Sequence, residues 1–554
     1  MARAAKKEKE VSLETVLWNC RVALRGIGST EKNRDAVISL VFLKFAGDKF
    51  EKRRAELVEQ YGDVPAFLEK VSFYNAVNVF YLKETARWSY IVAHASSNDI
   101  AVILDQAMKD IEESNPSLRG ALSSRDKDGN PNYTFFATLG ASNTKIKDLI
   151  DNVNQIDEKR FQEEDLIGRV YEYFLQAYAA SGTKEDGEFY TPACVVKLIA
   201  EMIEPYSGVV YDPCCGSGGM FVQSLKFVDK HNGNRKKISI LGQESNPDTW
   251  RLCKMNLAIR GIAHNLGEKN DSTFTNDQHK DKKVDFIMAN PPFNLKGWRA
   301  EDELTDDPRF KGYKAMPPVA NANYAWILHM LSKLDVSHGI AGFLLANGAL
   351  NADDVEYTIR KEILDRDRVE AIIVLPRDMF YTTDISVTLW IINMNKGPVT
   401  VNGRKLRDRT HELLFMDLRR WDENIEEIVI DKGKKKKKVI LTDGQIEKIK
   451  MVYSNWQNAD GSLYSDVPEF CKTVKLYNSD LTEEERKAGV ATIESKDYSL
   501  APSNYIKFID HDLNIDYHKE ITRIQAEMKN ILSEEKASQQ MLEEAFRGIG
   551  YGID

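Results

Sequence analysis

From about residue 209 the sequence alternates short β-branched runs with stretches of helical apolar spacing, and this alternation constrains the fold more than any other feature. The predicted strands are 209–212, 238–243, 284–289, 340–346, 369–375 and 386–393, and helices are predicted over 247–260, 322–334 and 354–364. Helices that connect successive strands make those strands parallel and cover the faces of the sheet. The pattern therefore predicts an α/β fold built on a doubly wound parallel sheet.

The regions on either side of this domain are predicted to be helical. The first 160 residues lack strand alternation and show helical apolar spacing, and another helix is predicted over 164–179. After residue 425 the alternation ends, and apolar residues between 517 and 545 recur at intervals of three and four, which predicts a long amphipathic helix that packs on its own chain or on another subunit. We expect a helical N-terminal domain (1–160), an α/β core (161–425) and a C-terminal segment (426–554).

Composition narrows the class of protein. The 554 residues are 42% hydrophobic, and 76 Lys and Arg against 85 Asp and Glu give a net charge of −9. No apolar run approaches the roughly 18 residues of a membrane span, and residues 1–10 lead into no apolar signal region. Six cysteines without CxxC spacing predict neither a disulfide framework nor a metal site. We expect a cytoplasmic protein with no membrane contact and no metal.

A lysine run stands out from this acidic background. Lys432 and residues 434–438 are all lysines, and we interpret the run as a solvated loop, with nucleic-acid contact as the alternative. The acid excess argues against a generic nucleic-acid coat but leaves room for a local basic patch.

A glycine-rich turn follows the first predicted strand. Residues 211–221 read YDPCCGSGGMF and lead into a helix. Glycine lets the backbone approach a ligand closely, and the start of a helix presents free N–H groups, so the turn suits a nucleoside-type ligand. A purely structural tight turn is the alternative.

Glu244 stands at the end of the next predicted strand, where a carboxylate can accept both hydroxyls of a ribose. It lies 28 residues after Gly216, a longer interval than the roughly 20 residues of the dinucleotide fingerprint. Capping of the following helix is the alternative role.

The tetrapeptide Asn290-Pro291-Pro292-Phe293 follows the strand predicted over 284–289. Each proline fixes its φ angle and lacks an N–H, so the pair stiffens this turn. The Asn290 side-chain oxygen and the Pro291 carbonyl can accept hydrogen bonds from the two N–H groups of an exocyclic amine, which frees the nitrogen lone pair. Phe293 offers a flat face to a purine. A rigid turn with a buried Phe is the alternative.

A further segment, residues 187–193 (GEFYTPA), precedes the glycine turn and opens a helix at Pro192. Thr at the cap and Pro in the first turn are common at helix starts. Beside a ligand pocket, the Thr191 hydroxyl and exposed amides could also hold an amino-acid carboxylate.

Together these motifs resemble the N6-adenine DNA methyltransferases, and specifically the modification (M) subunit of type I restriction-modification systems. The similar segments are 39–50 (SLVFLKFAGDKF), 165–174 (DLIGRVYEYF), 187–192 (GEFYTP), 212–221 (DPCCGSGGMF), 290–293 (NPPF) and 499–506 (SLAPSNYI). Six segments in the same order argue against coincidence. One departure is Cys214-Cys215, where the family commonly has Ala-Cys or two small residues, and two small apolar side chains are compatible with the turn.

The resemblance implies a Rossmann-like methyltransferase core with S-adenosylmethionine as cofactor. The residues it assigns to the cofactor are Glu188, Phe189, Tyr190, Thr191, Pro192, Ala193, Asp212, Gly216, Ser217, Gly218, Glu244 and Asp271. Of these, Glu244 would hold the ribose, and Asp271 is a weaker candidate for the adenine. Asn290, Pro291, Pro292 and Phe293 would form the catalytic motif.

The resemblance also implies a reaction and its partners. A target adenine in double-stranded DNA would be flipped out of the stack and methylated at N6, mainly through alignment and polarisation. The chain lacks a sizeable base-reading segment, so a separate specificity (S) subunit would read the sequence, two copies of this chain would join one S subunit, and restriction (R) subunits would add cleavage. The sequence has no G-x-x-x-x-G-K-[ST] loop for translocation. The C-terminal helix is the candidate for docking onto S.

Three other functions are compatible with parts of the sequence. Enzymes that methylate a glutamine amide in proteins share the Asn-Pro-Pro-aromatic motif, but they are usually shorter and lack flanking helical domains. A catalytically silent assembly scaffold is disfavoured because Asn290, Phe293, Gly216 and Glu244 are intact. An NAD-dependent oxidoreductase is disfavoured because residues 216–219 (GSGG) lack the G-x-G-x-x-G spacing.

Overall fold

The computed structural model describes residues 13–125, 131–156, 170, 173, 191–380, 386–431, 434–509 and 517–548. The chain forms two units by its contacts, residues 1–505 and residues 506–554. The helix predicted over 164–179 lies outside the described ranges except for Val170 and Tyr173, and so do Glu188, Phe189 and Tyr190.

The strands and helices are numbered here in chain order. The strands are β1 Ser124–Arg125, β2 Pro131–Asn132, β3 Gly208–Asp212, β4 Ile238–Gly242, β5 His264–Asn265, β6 Phe286–Ala289, β7 Ile340–Ala346, β8 Val369–Val374, β9 Val387–Asn393, β10 Val399–Val401, β11 Arg404–Leu406, β12 Glu412–Asp417, β13 Ile425–Asp431, β14 Lys434–Val439 and β15 Cys471–Lys475. The α-helices are α1 Leu13–Ala23, α2 Thr30–Tyr61, α3 Pro65–Leu68, α4 Val71–Asn75, α5 Trp88–Ala93, α6 Ile100–Ser114, α7 Asn143–Val153, α8 Ala193–Ile203, α9 Gly219–Lys230, α10 Pro247–Ile259, α11 Pro308–Lys311, α12 Asn323–Lys333, α13 Asp354–Asp365, α14 Asp443–Gln457, α15 Glu483–Lys487 and α16 Tyr517–Gly548.

Nine of the described strands form one mixed sheet in the order β15-β12-β8-β9-β7-β6-β3-β4-β5. The strands from β7 to β5 run parallel, as do β8 and β12, whereas β9 is antiparallel to both β7 and β8, and β15 is antiparallel to β12. The predicted α/β class is confirmed, but the wholly parallel sheet was wrong. Residues 375–386 join β8 to β9, and no helix is described among them, whereas a parallel crossover usually contains one.

The central strands carry near-continuous apolar runs because helices cover both faces of the sheet. Strands β7 (IAGFLLA) and β9 (VTLWIIN) are almost wholly buried. Helix α8 lies so close to β7 that a Cβ at Gly342 would come within 2.8 Å of the Ile199 side chain. This position therefore requires glycine for packing.

The sheet continues past residue 425, where the sequence placed the end of the core. Strand β15 pairs along the edge of β12 from Cys471 to Lys475, and α14 buries Ile446, Ile449 and Trp456. The sequence shows no regular alternation after residue 425 and did not predict this strand. A five-residue edge strand such as CKTVK alternates too briefly to be recognised from its own pattern. The domain boundaries at 160 and 425 stay a prediction.

A buried ion pair ties this later part of the chain to the sheet. Glu370 in β8 and Arg409 before β12 are both fully buried, with Arg409 Nε 3.0 Å from Glu370 Oε1. Gln457, at the end of α14, donates to the same oxygen at 2.9 Å, and Asn393 in β9 donates to the other. One carboxylate thus links two central strands, a loop and a helix.

We predict that Glu370→Ala lowers the free energy of unfolding by about 3–5 kcal/mol, because it leaves the Arg409 guanidinium buried without its counter-ion. Urea unfolding measures the effect. Asp306→Ala, which breaks the exposed pair with Lys311, is the matched control and should leave the midpoint unchanged. Equal midpoints for both variants would contradict the account.

Residues 434–438 of the lysine run lie in a β-strand, and their interpretation as a loop was wrong. Strand β14 pairs antiparallel with β13, and the register sets Lys438 opposite Glu426, Lys437 opposite Glu427 and Lys434 opposite Asp431. Opposite charges in directly paired positions stabilise such a hairpin. Pairing with the acidic strand β13 therefore explains several of the lysines in β14. Contact of these lysines with nucleic acid stays untested.

The N-terminal helices pack together in one hydrophobic cluster, which confirms the predicted helical region. Helix α2 begins at a Ser29 cap that accepts a hydrogen bond from the Lys32 N–H, and its buried side chains pack with those of α1, α6 and α7. Leu252 and Met255 of α10 belong to the same cluster. The helical region thus packs directly against the α/β core.

The second unit contains the predicted long helix, α16, which has 32 residues. Its apolar side chains are exposed, and these are Ile521, Ile524, Met528, Ile531, Leu532, Met541, Leu542 and Phe546. Within the described ranges, no helix is long and apolar enough to cross a bilayer.

Candidate active site

The carboxyl ends of β3, β4 and β6 bring the predicted motifs to one edge of the sheet. The register pairs Asp212 with Gly242 and Tyr211 with Ile287. The glycine turn, Glu244 and the Asn290 motif therefore leave the sheet side by side. This edge is where open α/β sheets bind their ligands.

The glycine turn uses both of its predicted glycines for backbone geometry. Gly216 has φ 51° and Gly218 has φ 84°, a left-handed conformation that costs other residues free energy. A Cβ at Gly218 would lie 2.9 Å from the Cys253 sulfur, whereas nothing lies within 4 Å of the corresponding position at Gly216. Gly218 thus serves packing against α10, and Gly216 leaves open space beside the turn.

Glu244 is held by the backbone on both sides. Its Oε2 accepts the Gly216 N–H at 3.0 Å and its Oε1 accepts the Asn246 N–H at 2.9 Å. The cap of α10 is Asn246, whose side chain accepts from Asp248 and Thr249. Glu244 is therefore not the helix cap, and its carboxylate is fixed against the glycine turn.

Asn290 has one end of its amide engaged and one end unpaired. Its Nδ2 donates to the Thr191 hydroxyl at 2.8 Å. Its Oδ1 is buried and has no hydrogen-bond partner among the described residues. A buried oxygen without a partner costs about 1–3 kcal/mol, so its retention indicates a ligand that completes it. Thr191 reaches the site through this contact.

Phe293 is half-buried beside Phe380, with ring centroids 6.4 Å apart at an interplanar angle of 77°. Pro291 is buried and Pro292 half-buried. The motif is therefore a rigid turn with one aromatic face near the end of β8.

One cavity of about 830 Å³ joins these groups, a volume within the usual range of ligand pockets. The residues of its wall that the sequence predicted are Gly216, Ser217, Glu244, Asn290, Pro292 and Phe293. Residues that the sequence did not predict complete the wall, and the largest are Phe274, Trp298 and Trp326.

Comparison with known proteins identifies the family. A family model described as N-6 DNA Methylase matches residues 162–512, and one described as HsdM N-terminal domain matches residues 13–153. The chain belongs to the N-6 DNA methylase family. The second match makes this methylase an HsdM-type modification subunit, and the resemblance drawn from its motifs is confirmed.

Individual relatives agree with this assignment. The type I restriction enzyme HindI methylase subunit of Haemophilus influenzae is 38% identical over 389 residues, which cover 70% of this chain and 79% of that protein. The type I restriction enzyme MjaIX methylase subunit of Methanocaldococcus jannaschii is 31% identical over 557 residues, which cover 97% of this chain and 91% of that protein. A type I methyltransferase subunit from Streptococcus thermophilus has the same fold, with a TM-score of 0.68 at 23% identity over 89% of this chain and 99% of that one.

Two carboxylates predicted to touch the cofactor do not line the cavity of this methylase. Asp212 is buried, and its Oδ1 accepts the Cys214 N–H at 3.0 Å within the turn. Asp271 is engaged by the Asn276 amide at 2.7 Å and by Lys269 at 3.0 Å. Burial opposes ionisation of Asp271, but these two donors hold its pKa below the usual value. Both carboxylates therefore support the loops, and their contact with a cofactor stays a prediction.

Several other predicted residues are only partly placed. Glu188, Phe189 and Tyr190 lie outside the described residues. Pro192 precedes α8 and accepts the Val195 N–H at 2.9 Å, and Ala193 is the first residue of that helix.

Sequence reasoning missed the aromatic wall of the cavity. Trp298, Trp326 and the buried Arg309 lie between β6 and β7, in a segment of about 50 residues. Connections in compact domains are usually far shorter, so this length was the available signal. Phe274 lies 4.7 Å from Trp298 and 4.2 Å from Trp326, measured between ring centroids.

Burial gives Asp212 a pH-dependent effect on stability. Burial raises the pKa of the Asp212 carboxyl to about 7, whereas the same carboxyl in the unfolded chain loses its proton near pH 4. The folded state therefore binds more protons between these values, and this group lowers the free energy of unfolding as the pH rises from about 4 to about 7.

We predict that Asp212→Asn removes this decline, because asparagine keeps an acceptor for the Cys214 N–H and does not ionise. Between about pH 4 and pH 7, the free energy of unfolding of the variant should increase relative to that of wild type by up to about 1.4 kcal/mol per pH unit. Denaturant unfolding at pH 5, 6, 7 and 8 measures it, with the exposed Asp302→Asn as control. A difference between Asp212→Asn and wild type that does not change with pH would refute the prediction.

Proposed function

We propose that this chain transfers a methyl group from S-adenosylmethionine to the exocyclic N6 of adenine in double-stranded DNA. The observation that carries the proposal is the buried, unpaired Oδ1 of Asn290 in the wall of the cavity. The amine of a flipped base brings the donor that this oxygen lacks. Membership in the N-6 DNA methylase family supports adenine N6 as the target.

The Asn290 motif polarises the amine. Asn290 Oδ1 and the Pro291 carbonyl accept hydrogen bonds from its two N–H groups, which shifts the nitrogen towards tetrahedral geometry and makes its lone pair available. The Thr191 hydroxyl keeps the amide of Asn290 from rotating, so its oxygen is already oriented when the base arrives. Alignment by fixed groups lowers the barrier without a strong base.

S-adenosylmethionine fits the remaining part of the cavity. The open space at Gly216 admits a ligand against the turn. Two backbone N–H groups fix the Glu244 carboxylate in the cavity wall, and because each carboxylate oxygen can accept more than one hydrogen bond, it can also accept ribose hydroxyls. When bound, this cofactor supplies the electrophilic methyl group.

The target adenine must leave the DNA stack, at a cost of a few kcal/mol. Phe293 offers the extruded purine an aromatic face, and stacking on such a face contributes about 1–3 kcal/mol. Binding elsewhere on the complex supplies the rest.

The chain acts in the cytoplasm as one subunit of a larger assembly. A separate S subunit supplies sequence specificity, a second copy of this chain joins the same S subunit to complete the methyltransferase, and R subunits add restriction. The exposed apolar side chains of α16 at intervals of three and four support docking onto S. The net charge of −9 supports a chain that relies on a partner to hold DNA phosphates.

We predict that Asn290→Ala, in complex with the S subunit, lowers kcat by about 10²–10³-fold, because it removes one of the two groups that polarise the amine. Binding of S-adenosylmethionine and assembly with S should be unchanged. Methyl transfer to a duplex and calorimetric cofactor binding measure the two effects.

Thr191 provides the matched pair for this test. Thr191→Val removes the hydroxyl that orients the amide and should lower kcat, while Thr191→Ser keeps it and should retain activity.

Near wild-type methylation by Asn290→Ala would contradict the role of Asn290. Methylation of a protein glutamine, with none of DNA, would contradict the proposed substrate.

We predict that the isolated chain binds duplex DNA weakly and loses affinity steeply with salt, because its net charge is −9 and its binding without S would rest on contacts to phosphates. Adding S should raise affinity for its site by about three orders of magnitude or more. Fluorescence anisotropy at several salt concentrations measures both, with S alone as a reference.

The double substitution Ile524→Asp and Ile531→Asp should abolish this gain, since both side chains belong to the exposed apolar stripe of α16. Thr522→Asp with Ser533→Asp adds the same charge at polar positions of the helix and should preserve the gain. Loss in both pairs, or in neither, would contradict docking through the stripe.

A further inference from the structure

Arg309 is a buried arginine whose five N–H groups all have acceptors. Its exposed fraction is 8%. Nε donates to Asp307 Oδ1 at 2.9 Å and Nη2 to Asp307 Oδ2 at 2.7 Å. The other donors reach Thr273 O at 2.9 Å, Phe274 O, and His329 Nδ1 at 3.1 Å. A guanidinium saturated in this way is fixed in position and fixes what it binds.

The contact with His329 extends this network to the sheet. A guanidinium only donates, so His329 Nδ1 accepts and its Nε2–H donates to the Tyr211 hydroxyl, 3.0 Å away. Burial, and next the Arg309 charge, hold the pKa of His329 well below its usual value, so the ring stays neutral. Tyr211 precedes Asp212 in β3. Arg309 is therefore anchored to the strand that carries the glycine turn.

The two backbone carbonyls that Arg309 holds belong to the aromatic wall. Phe274, Trp298 and Trp326 line the cavity and are 2–6% exposed. The indole N–H of Trp326 is buried without a partner in the described part of the chain. A displacement of the 273–274 backbone would move Phe274 against both tryptophans.

We infer that Arg309 is a positioning residue for the purine of the cofactor, acting through the Thr273–Phe274 backbone and the aromatic wall. The inference rests on the proposed use of S-adenosylmethionine. Arg309 touches neither ligand, and its role is to fix the surface against which the purine packs.

The wall is joined to the cofactor side of the cavity. The Asp271 N–H donates to the Glu244 carbonyl at 3.0 Å, and the Thr273 hydroxyl donates to the Pro213 carbonyl at 2.5 Å. Residues 271–274 are thus hydrogen-bonded to the glycine turn and to the residue proposed for the ribose. The flipped base belongs instead beside Asn290 and Phe293.

Cofactor binding and turnover, measured separately on the complex with S, test the inference. Arg309→Lys keeps the charge but has at most three donors, so Kd for S-adenosylmethionine should rise by about tenfold or more, the scale of a lost charged hydrogen bond. Kd for S-adenosylhomocysteine, which shares the purine, should rise by the same factor. At saturating cofactor, kcat should be unchanged.

Arg360→Lys is the matched control, because Arg360 is also buried and donates to two backbone carbonyls, those of Tyr498 and Ala352, neither of which lines the cavity. It should change neither constant. If Arg309→Lys does not fold, the His329 pair decides: His329→Asn places an oxygen near Nδ1 and should retain affinity, and His329→Leu should lose it.

Unchanged cofactor affinity in Arg309→Lys, or equal affinities for the two His329 variants, would overturn the inference. If Arg309→Lys raised KM for DNA and left the Kd for S-adenosylmethionine unchanged, the aromatic wall would serve the flipped base, and the inference would also be overturned. Failure of the wild-type complex to bind S-adenosylmethionine would refute the proposed function instead.

Discussion

The site depends on the way the loops at one edge of the sheet are bonded to one another. Gln243 N–H donates to Asp212 O at 3.1 Å, Cys215 N–H to Gln243 O at 3.0 Å, and Asp271 N–H to Glu244 O at 3.0 Å. These bonds join the ends of two parallel strands to the next loop along the chain. The glycine turn and the Glu244 carboxylate therefore cannot shift independently, and the shape of the cavity follows from the strand register.

Arg309, Glu244 and Asn290 differ in whether their side-chain polar atoms have hydrogen-bond partners within the chain. Every donor of Arg309 is satisfied, and Glu244 is held from both sides. Asn290 Oδ1 alone among these is buried without a partner. Satisfied buried networks rigidify their surroundings, whereas an unsatisfied group costs free energy. Because Asn290 lies in the wall of the cavity, a substrate can supply the missing donor.

The features that could be predicted from the sequence are those with a local residue pattern, namely strands with β-branched runs and short motifs at strand ends. All six predicted strands are present, and the turn after β3, Glu244 and Asn290 meet at one cavity. Strand β15 and the lysine strand β14 were missed because their partners, β12 and an acidic β13, define them. Arg309 acts on a carbonyl 36 residues away, and no local pattern marks such a contact. Asp212 and Asp271 stand in the expected motifs, yet their carboxylates bond to neighbouring loops.

The central claim is that the unpaired oxygen of Asn290 receives the amine of adenine. Nucleoside mass spectrometry of duplex DNA, methylated by the complex of this chain with its S subunit, tests the claim most directly. We predict N6-methyladenine as the product. A methyl group on the cytosine amine, or no methylated base with the cofactor bound, would contradict it.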